Sequence, residues 1–274
     1  MGTLADNAAA ERMGKWKDKK GKAPSYLILY RQLLQLDVEE QYQETLKTHV
    51  SEFAQRFKST HSPLKFNDLL PDWEAMESLF WTAGILLDEQ LPKKDRELRQ
   101  PKTYLTEKIA RAWYHYSLTP EIVQESGFDV GTLSLCLKSA FHPILARYAE
   151  ATSPDIDQES WRKPTCPICG GKPDFAFLDK DNGARWLICS RCSAEWLFQR
   201  LECPFCGNKE QDSLSYMTDD KEKYRVYTCD KCHKYIKAID LRQAKEEVLF
   251  PIERLLALDL DSQASTAGYN PGWV

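Results

Sequence analysis

The sequence predicts an α + small-β protein: an all-α amino-terminal domain, then two tandem small modules each organised by four cysteines, then a closing helix. Three observations predict it. Eight of the nine cysteines stand as four Cys-x-x-Cys pairs, Cys166/Cys169, Cys189/Cys192, Cys203/Cys206 and Cys229/Cys232. Upstream, residues 24–150 place apolar side chains at three- and four-residue steps, the period of a helix with one buried face. The cysteine-rich segment carries short runs of aromatic and β-branched residues instead, and helical spacing returns after its last pair.

In chain order, residues 1–23 are small and charged, with five lysines between 15 and 22, and are expected to be a flexible amino terminus. Residues 24–160 form the expected helical domain. Pro24 suits a first helical turn, and Leu27, Ile28, Tyr30, Leu33 and Leu34 follow it. Tyr42, Leu46, Val50, Phe53 and Phe57 mark a second helix; Trp73, Met76, Leu79, Phe80 and Ala83 mark another after Pro71-Asp72. Leu105, Ile109, Ala112, Trp113 and Tyr116 predict one more, and Thr119-Pro120 reads as an N-cap followed by proline at the first helical position. The stretch from Leu133 to Tyr148 is periodic again, with Pro143 expected to kink it or begin a fresh helix. The turn-rich Ala151-Thr152-Ser153-Pro154-Asp155 closes this region.

Residues 161–200 and 201–242 are the two expected metal modules. Nineteen residues separate Cys169 from Cys189 and 22 separate Cys206 from Cys229, the form of a two-knuckle site; only ten separate Cys192 from Cys203, the length of a connector. The motif Cys166-Pro167-Ile168-Cys169-Gly170 returns as Cys203-Pro204-Phe205-Cys206-Gly207, and Arg185-Trp186-Leu187-Ile188-Cys189 is echoed by Arg225-Val226-Tyr227-Thr228-Cys229, so the module is duplicated. The grouping that follows is Cys166, Cys169, Cys189 and Cys192 on one ion and Cys203, Cys206, Cys229 and Cys232 on a second, with interleaved pairing as the alternative. Proline fixes φ between two ligands and the glycine after them accepts a left-handed backbone, a turn that aims N–H groups at sulfur. Residues 174–178, 184–188 and 224–228 read as strands. Neither module has chain enough for a core of its own, so the metal is expected to supply much of the folding free energy. Residues 243–274 are expected to be a closing helix, with Val248, Ile252, Leu255, Leu256 and Leu258, and a tail that Tyr269 and Trp273 could dock.

Composition narrows the function. Hydrophobic content of 42% with 28% charged residues fits a globular protein with a real core. The net charge of −4 gives no sign of a nucleic-acid binder, and residues 161–242 hold 15 Lys or Arg against 12 Asp or Glu, an excess that eight thiolates on two divalent ions would cancel. No amino-terminal apolar run resembles a signal peptide and no stretch approaches a membrane span. A cytoplasmic location with reduced thiols is therefore expected, which favours metal over disulfides. Cys136, among Leu133, Leu135, Leu137 and Phe141, reads as a buried core thiol. The five histidines are scattered, and no nucleophile triad, carboxylate pair, Walker loop or dinucleotide fingerprint is present, so no catalytic residue is assigned. Trp186 and Trp196 are expected to pack beside the first site. Arg185 and Arg225 recur in the repeat and read as solvated strand charges, with an anion or partner contact as the sharper alternative.

The ordered set of motifs resembles the formate dehydrogenase accessory protein FdhE family. It comprises the two Cys-Pro-x-Cys-Gly turns, Cys189-Ser190-Arg191-Cys192 followed by Glu195-Trp196, and Cys229-Asp230-Lys231-Cys232-His233-Lys234-Tyr235-Ile236-Lys237. Leu258-Asp259-Leu260-Asp261 and Gly268-Tyr269-Asn270-Pro271 complete it. The agreement covers about residues 160–274; the first half fits in helical character alone. The resemblance implies an α-helical domain followed by two tandem rubredoxin-like/zinc-ribbon modules. It implies a cytoplasmic accessory factor rather than an enzyme, one that binds the catalytic subunit of a molybdenum- or tungsten-dependent formate dehydrogenase during maturation. It also tilts the two metal ions toward iron. A four-sulfur tetrahedron accepts iron or zinc, so the residues alone leave that choice open. Two other readings stay beside it: a rubredoxin-like one-electron carrier, and a zinc-ribbon protein associated with nucleic acid or transcription, which the charge balance disfavours.

Overall fold

The structure, a computed structural model, describes residues 3–16, 23–90 and 105–273. By internal contacts the chain divides into two units. One holds the described residues of Met1–Glu52 and Lys65–Arg147; the other holds those of Phe53–Leu64 and Tyr148–Val274.

The first unit is helical. Residues 4–14, expected to be flexible, form helix α1 (Leu4–Gly14), capped by the Thr3 hydroxyl, which accepts from the Asp6 N–H at 3.1 Å. Its Ala9, Ala10 and Met13 share one buried face, an apolar stripe too small to stand out among charges in the sequence. The lysine-rich residues 17–22 lie outside the described residues. Helices α2 (Ser25–Leu34), α3 (Glu40–Thr60), α4 (Trp73–Gln90), α5 (Glu107–Tyr114), α6 (Pro120–Ser126) and α7 (Val130–Thr152) follow. Thr106 and Thr119 cap α5 and α6, accepting from the N–H groups of Ile109 and Ile122, with Pro120 in the first turn as expected. Helix α7 runs unbroken through Pro143. The core includes Leu46, Leu69, Met76, Phe80, Leu133, Leu137 and Phe141. Each such side chain contributes about 1.5–3 kcal/mol by leaving water. Buried Asp6 bonds His142 at 2.9 Å, and Arg147 reaches Asp37.

The second unit opens with the end of α3, where Phe53 meets Tyr148 edge-on at 5.4 Å. Its centre is one mixed sheet of seven strands: β1 (Pro173–Leu178), β2 (Arg185–Cys189), β3 (Glu195–Phe198), β4 (Leu214–Thr218), β5 (Tyr224–Cys229), β6 (Lys234–Asp240) and β7 (Asn270–Pro271). The order is β3-β2-β1-β6-β5-β4, with β7 on β6. Each cysteine module supplies one antiparallel three-stranded half. The halves join through a parallel pair, β1 with β6, in which Phe175 stands opposite Lys237 and Leu178 opposite Asp240. The tandem modules thus share one sheet.

On one face Phe175, Phe177, Ile188, Val226, Tyr235 and Ile239 cluster with Ala257, Leu260 and Ala264. Those last residues belong to the closing helices, which are two rather than one: α8 (Phe250–Leu256) and α9 (Leu258–Thr266), breaking at Ala257. Residues 241–249 are not helical. Ion pairs seat the helices on the sheet. Buried Glu253 accepts from Lys223 (3.1 Å) and the Tyr224 hydroxyl, and Asp261 accepts from Tyr235 (2.7 Å) and Lys237 (2.6 Å). The tail docks, as Tyr269 and Trp273 allow. Tyr269 donates to Asp230 at 2.6 Å, Trp273 meets Tyr235 edge-on at 5.5 Å, and a Cβ on Gly272 would fall 2.1 Å from the Phe205 ring.

Candidate metal centre

Each group of four cysteines is drawn from one module, so sequential grouping holds and interleaved pairing does not: Cys166, Cys169, Cys189 and Cys192 form one cluster, Cys203, Cys206, Cys229 and Cys232 the other, with all sulfurs of a cluster within 4.8 Å of one another. Cys166 Sγ lies 3.6 Å from Cys192 Sγ and Cys169 Sγ 3.4 Å from Cys189 Sγ; across the second cluster Cys203–Cys232 and Cys206–Cys229 are both 3.7 Å.

The local sequence explains the convergence. Gly170 and Gly207 take φ of +66° and +72°, the left-handed turn that each Cys-Pro-x-Cys-Gly motif predicts. The turn brings the Ile168 N–H to 3.4 Å from Cys166 Sγ and the Phe205 N–H to 3.5 Å from Cys203 Sγ. The second knuckles lack glycine and place Ser193 (φ 59°) and His233 (φ 51°) in the same region. His233 is thus a turn residue: its N–H donates to the Cys229 carbonyl at 2.8 Å, and its own carbonyl accepts from Asn270. Among the described residues the metal-ligating groups gathered at these two positions are all cysteines.

Burial separates the clusters. All four cysteines of the first are buried; in the second Cys206 is exposed and Cys232 partly so. The first is braced by residues that motif reading did not identify. Gly171 lies so close that a Cβ there would come 2.9 Å from Cys189 Sγ and 3.2 Å from Cys169 Sγ. The Leu64 N–H donates to the Ile168 carbonyl inside the knuckle at 2.6 Å. Arg254 of α8 reaches Asp174 Oδ1 at 2.7 Å, the Ser193 hydroxyl at 3.2 Å and the Cys189 carbonyl at 3.0 Å. In the second cluster Asn208 Nδ2 approaches Cys229 Sγ at 3.6 Å. The Gly170-Gly171 doublet was a readable signal; Arg254, 65 residues from the carbonyl it bonds, was not.

Residues 165–200 match the FdhE central domain. An FdhE homolog from Aquifex aeolicus is 39% identical over 150 residues, covering 53% of this chain and 52% of that protein.

The chain belongs to the FdhE family.

Another FdhE homolog, from Shewanella baltica, is 30% identical over 209 residues, which cover 74% of the chain and 61% of the relative. The chain thus spans about half the length of the Aquifex FdhE homolog. The crystal structure of the FdhE protein from Pseudomonas aeruginosa superposes with a TM-score of 0.63 at 19% identity, covering 98% of this chain and 93% of that one, which shows a shared fold.

The donor sets in this FdhE-family chain fit a metal ion. Four thiols within 4.8 Å match a tetrahedral all-sulfur shell, with N–H groups directed at sulfur and a glycine where any side chain would crowd it. Each group could hold one ion, which when bound would keep its thiolates ionised and tie two distant knuckles together. Without that charge the thiols oppose one another. Burial pushes Cys166 and Cys192 well up, and at Cys189 hydrogen bonds from Cys166 and Cys169 outweigh burial and bring the thiol down. In the more open cluster burial raises Cys232 to about 11. Burial also holds Cys136 neutral, at about 12, consistent with a core thiol.

Three side chains singled out in the sequence take defined places. Trp186 stacks on Phe177 at 5.9 Å in the helix-covered core, and Trp196 is fully buried with its Nε1–H on the Lys163 carbonyl at 3.0 Å. Arg185 is not a solvated strand charge: it is only 2% exposed.

Glu195, on β3 in the FdhE central domain, carries a pH prediction. Burial raises its carboxyl from 4.5 to about 6, against the opposing pull of Arg254. Between those values the folded chain holds a proton that the unfolded chain has lost, so stability falls as pH rises through this window, by about 2 kcal/mol in all. Glu195→Gln is expected to gain most of that at pH 8 and much less at pH 5. Urea unfolding at both values checks it; an advantage that does not change with pH would reject the assignment.

Proposed function

We propose that this chain is a formate dehydrogenase accessory protein. It binds the catalytic subunit of a molybdenum- or tungsten-dependent formate dehydrogenase in the cytoplasm, is needed for that enzyme's activity, and performs no catalysis of its own. The observation that carries the reading is the FdhE-family match, which falls on the first four-cysteine module. The functional division that goes with it is a helical domain at 24–160, metal modules at 161–200 and 201–242 and a closing segment at 243–274. The ligands are Cys166, Cys169, Cys189 and Cys192 for one ion and Cys203, Cys206, Cys229 and Cys232 for the other. Iron, held as in rubredoxin, is the favoured ion on the family resemblance alone; zinc is the other ion that the donor set accepts, and the N–H groups directed at sulfur would serve either. No helix among the described residues is long and apolar enough to cross a membrane.

A second reading, a one-electron carrier, draws on the exposed Cys206, which brings the second cluster to the surface. One experiment separates the two. Tagged protein isolated anaerobically from a formate-grown host is expected to co-purify with the formate dehydrogenase catalytic subunit. It should be red when oxidised and contain two iron ions per chain. Normal formate dehydrogenase activity in a deletion strain, with no subunit captured, would reject the accessory role. Colourless protein with two zinc ions would reject iron and the electron-carrier reading together.

A further inference from the structure

The face of the sheet opposite α8 and α9 carries its own site. Side chains two apart on a strand share a face, so Arg225 and Tyr227 of β5 stand together. Strand register places Arg185 of β2 on that same face, through Leu178 and Asp240. With residues 200–205, which connect the two modules, they line a cavity of about 570 Å³ whose wall also includes Cys203 and Cys229 of the second cluster.

Three residues that line this cavity each carry a buried polar atom without a hydrogen-bond partner: Arg185 Nε, Arg225 Nε and the Tyr227 hydroxyl. Unpaired buried donors are uncommon in folded proteins, because each forfeits its bonds to water. Three such atoms on residues that line one cavity point to an absent acceptor. The charge balance points the same way. The Arg185 guanidinium lies between the rings of Phe198 and Tyr227, at 5.3 and 5.6 Å, and donates only to the carbonyls of Gln199 and Glu202. Among the described residues no carboxylate lies within ion-pair distance of it. Arg225 has Asp240 at 2.7 Å, but Arg242 shares that carboxylate at 2.6 Å. Glu202, in the cavity wall, is paired with Lys209 at 3.3 Å. Among the described residues, no carboxylate of the cavity wall is left over to neutralise these two arginines.

We propose that this cavity binds a carboxylate carried on an apolar or aromatic body, held by the side chains of Arg185, Arg225 and Tyr227. The remaining wall sets Leu201, Pro204, Phe205 and Tyr216, which suit the body, beside two further cationic side chains, Arg200 and Lys234. A singly charged acid fits better than a phosphate dianion, because four thiolates around a divalent ion would leave net negative charge at the same wall. Arg185 and Arg225 occupy equivalent positions of the duplicated unit, so each module supplies one arm of the site. The proposal is independent of the accessory role: it requires neither a formate dehydrogenase nor a particular metal.

Calorimetric titration of the full metal-loaded chain tests it. Phenylacetate is compared with its neutral analogue phenylacetamide, and a tripeptide ending in phenylalanine is compared as free acid and amide; inorganic phosphate is a third probe. Saturable binding of an acid, about tenfold or more tighter than its amide, is expected. Tyr227→Phe and Arg225→Gln should each weaken it about tenfold. Tyr227→Phe should leave the melting temperature unchanged or higher, since it deletes an unpaired buried hydroxyl, so a loss of binding there is not a loss of fold. Tighter binding of the peptide acid would identify a chain terminus as the source, and tighter binding of phenylacetate a small free acid. Equal binding of acids and amides, no saturable binding, a preference for phosphate, or full affinity in Tyr227→Phe would each overturn the proposal.

Discussion

Loss of the ion from the first cluster is expected to unfold the sheet, whereas loss from the second should open only its outer hairpin. The first cluster ties the knuckle that leads into β1 to the end of β2 and the turn after it at a fully buried position, and β1 is the strand through which the second module joins by parallel pairing with β6. Replacing one ligand, as in Cys189→Ser, leaves a buried site with three thiolates and an unpaired hydroxyl. Structural four-sulfur sites contribute on the order of 10 kcal/mol in small modules, comparable with the whole stability of a domain. Cys189→Ser should therefore lose the cooperative unfolding transition of the second unit, while Cys206→Ser, at an exposed ligand, should keep the transition of the first module and lose one ion. Metal release to a chelator should be biphasic, the second site emptying first. Acidification should speed both phases, since each freed thiolate takes a proton and the cation loses its ligand as pH falls. Circular dichroism with timed metal analysis reads both points. Simultaneous release, or a Cys189→Ser protein as stable as its parent, would show that the sheet does not depend on the first ion.

Arg254→Met is expected to be the most damaging change away from the cysteines. Arg254 and Asp174 are an ion pair with side chains 14% and 8% exposed, and the same guanidinium holds the Ser193 hydroxyl and the Cys189 carbonyl. Removing Arg254 takes from buried Asp174 an ion-pair partner, and breaking a buried pair costs about 3–5 kcal/mol. It also frees the second knuckle of the first cluster, where Ser193 holds a left-handed backbone that its side chain does not favour. Arg254→Lys should rescue little, because one ammonium cannot reproduce the planar fork that reaches Asp174 and the Cys189 carbonyl together. Arg254→Met combined with Asp174→Asn should recover part of the loss by deleting the carboxylate charge that Arg254 balanced. The readouts are unfolding free energy and the rate of ion loss from the first cluster. An unchanged rate would confine Arg254 to docking the helix. A faster one would make it a positioning residue for the metal knuckle.

Most of the candidate site was legible because its determinants are local. A Cys-Pro-x-Cys-Gly turn needs only the residues inside it: proline to limit φ, glycine to accept +66° or +72°, and two sulfurs brought to one side. The helix caps at Thr119 and the strands at 173–178 and 224–229 follow from similarly short-range preferences. The joining of the modules was not legible. Parallel pairing of β1 with β6 links residues about 60 positions apart, and nothing in either strand names its partner. Helix α1 was missed because alanines make a weak stripe among charges, and the single closing helix was overcalled because apolar spacing alone does not show where a chain turns at Ala257.

By itself, then, the sequence determined that eight cysteines form two duplicated four-sulfur turns behind a helical region, and that the ordered motifs are those of the FdhE family. Turn chemistry and ligand spacing act within a few residues and survive transfer to any fold. Only the tertiary structure decided that the grouping is sequential, that the two modules share one sheet, and that Arg185 is buried rather than solvated. Those outcomes depend on which strands meet and which face the helices cover. A strand charge and a buried cation have the same sequence; what distinguishes them is the surface that comes to lie against them.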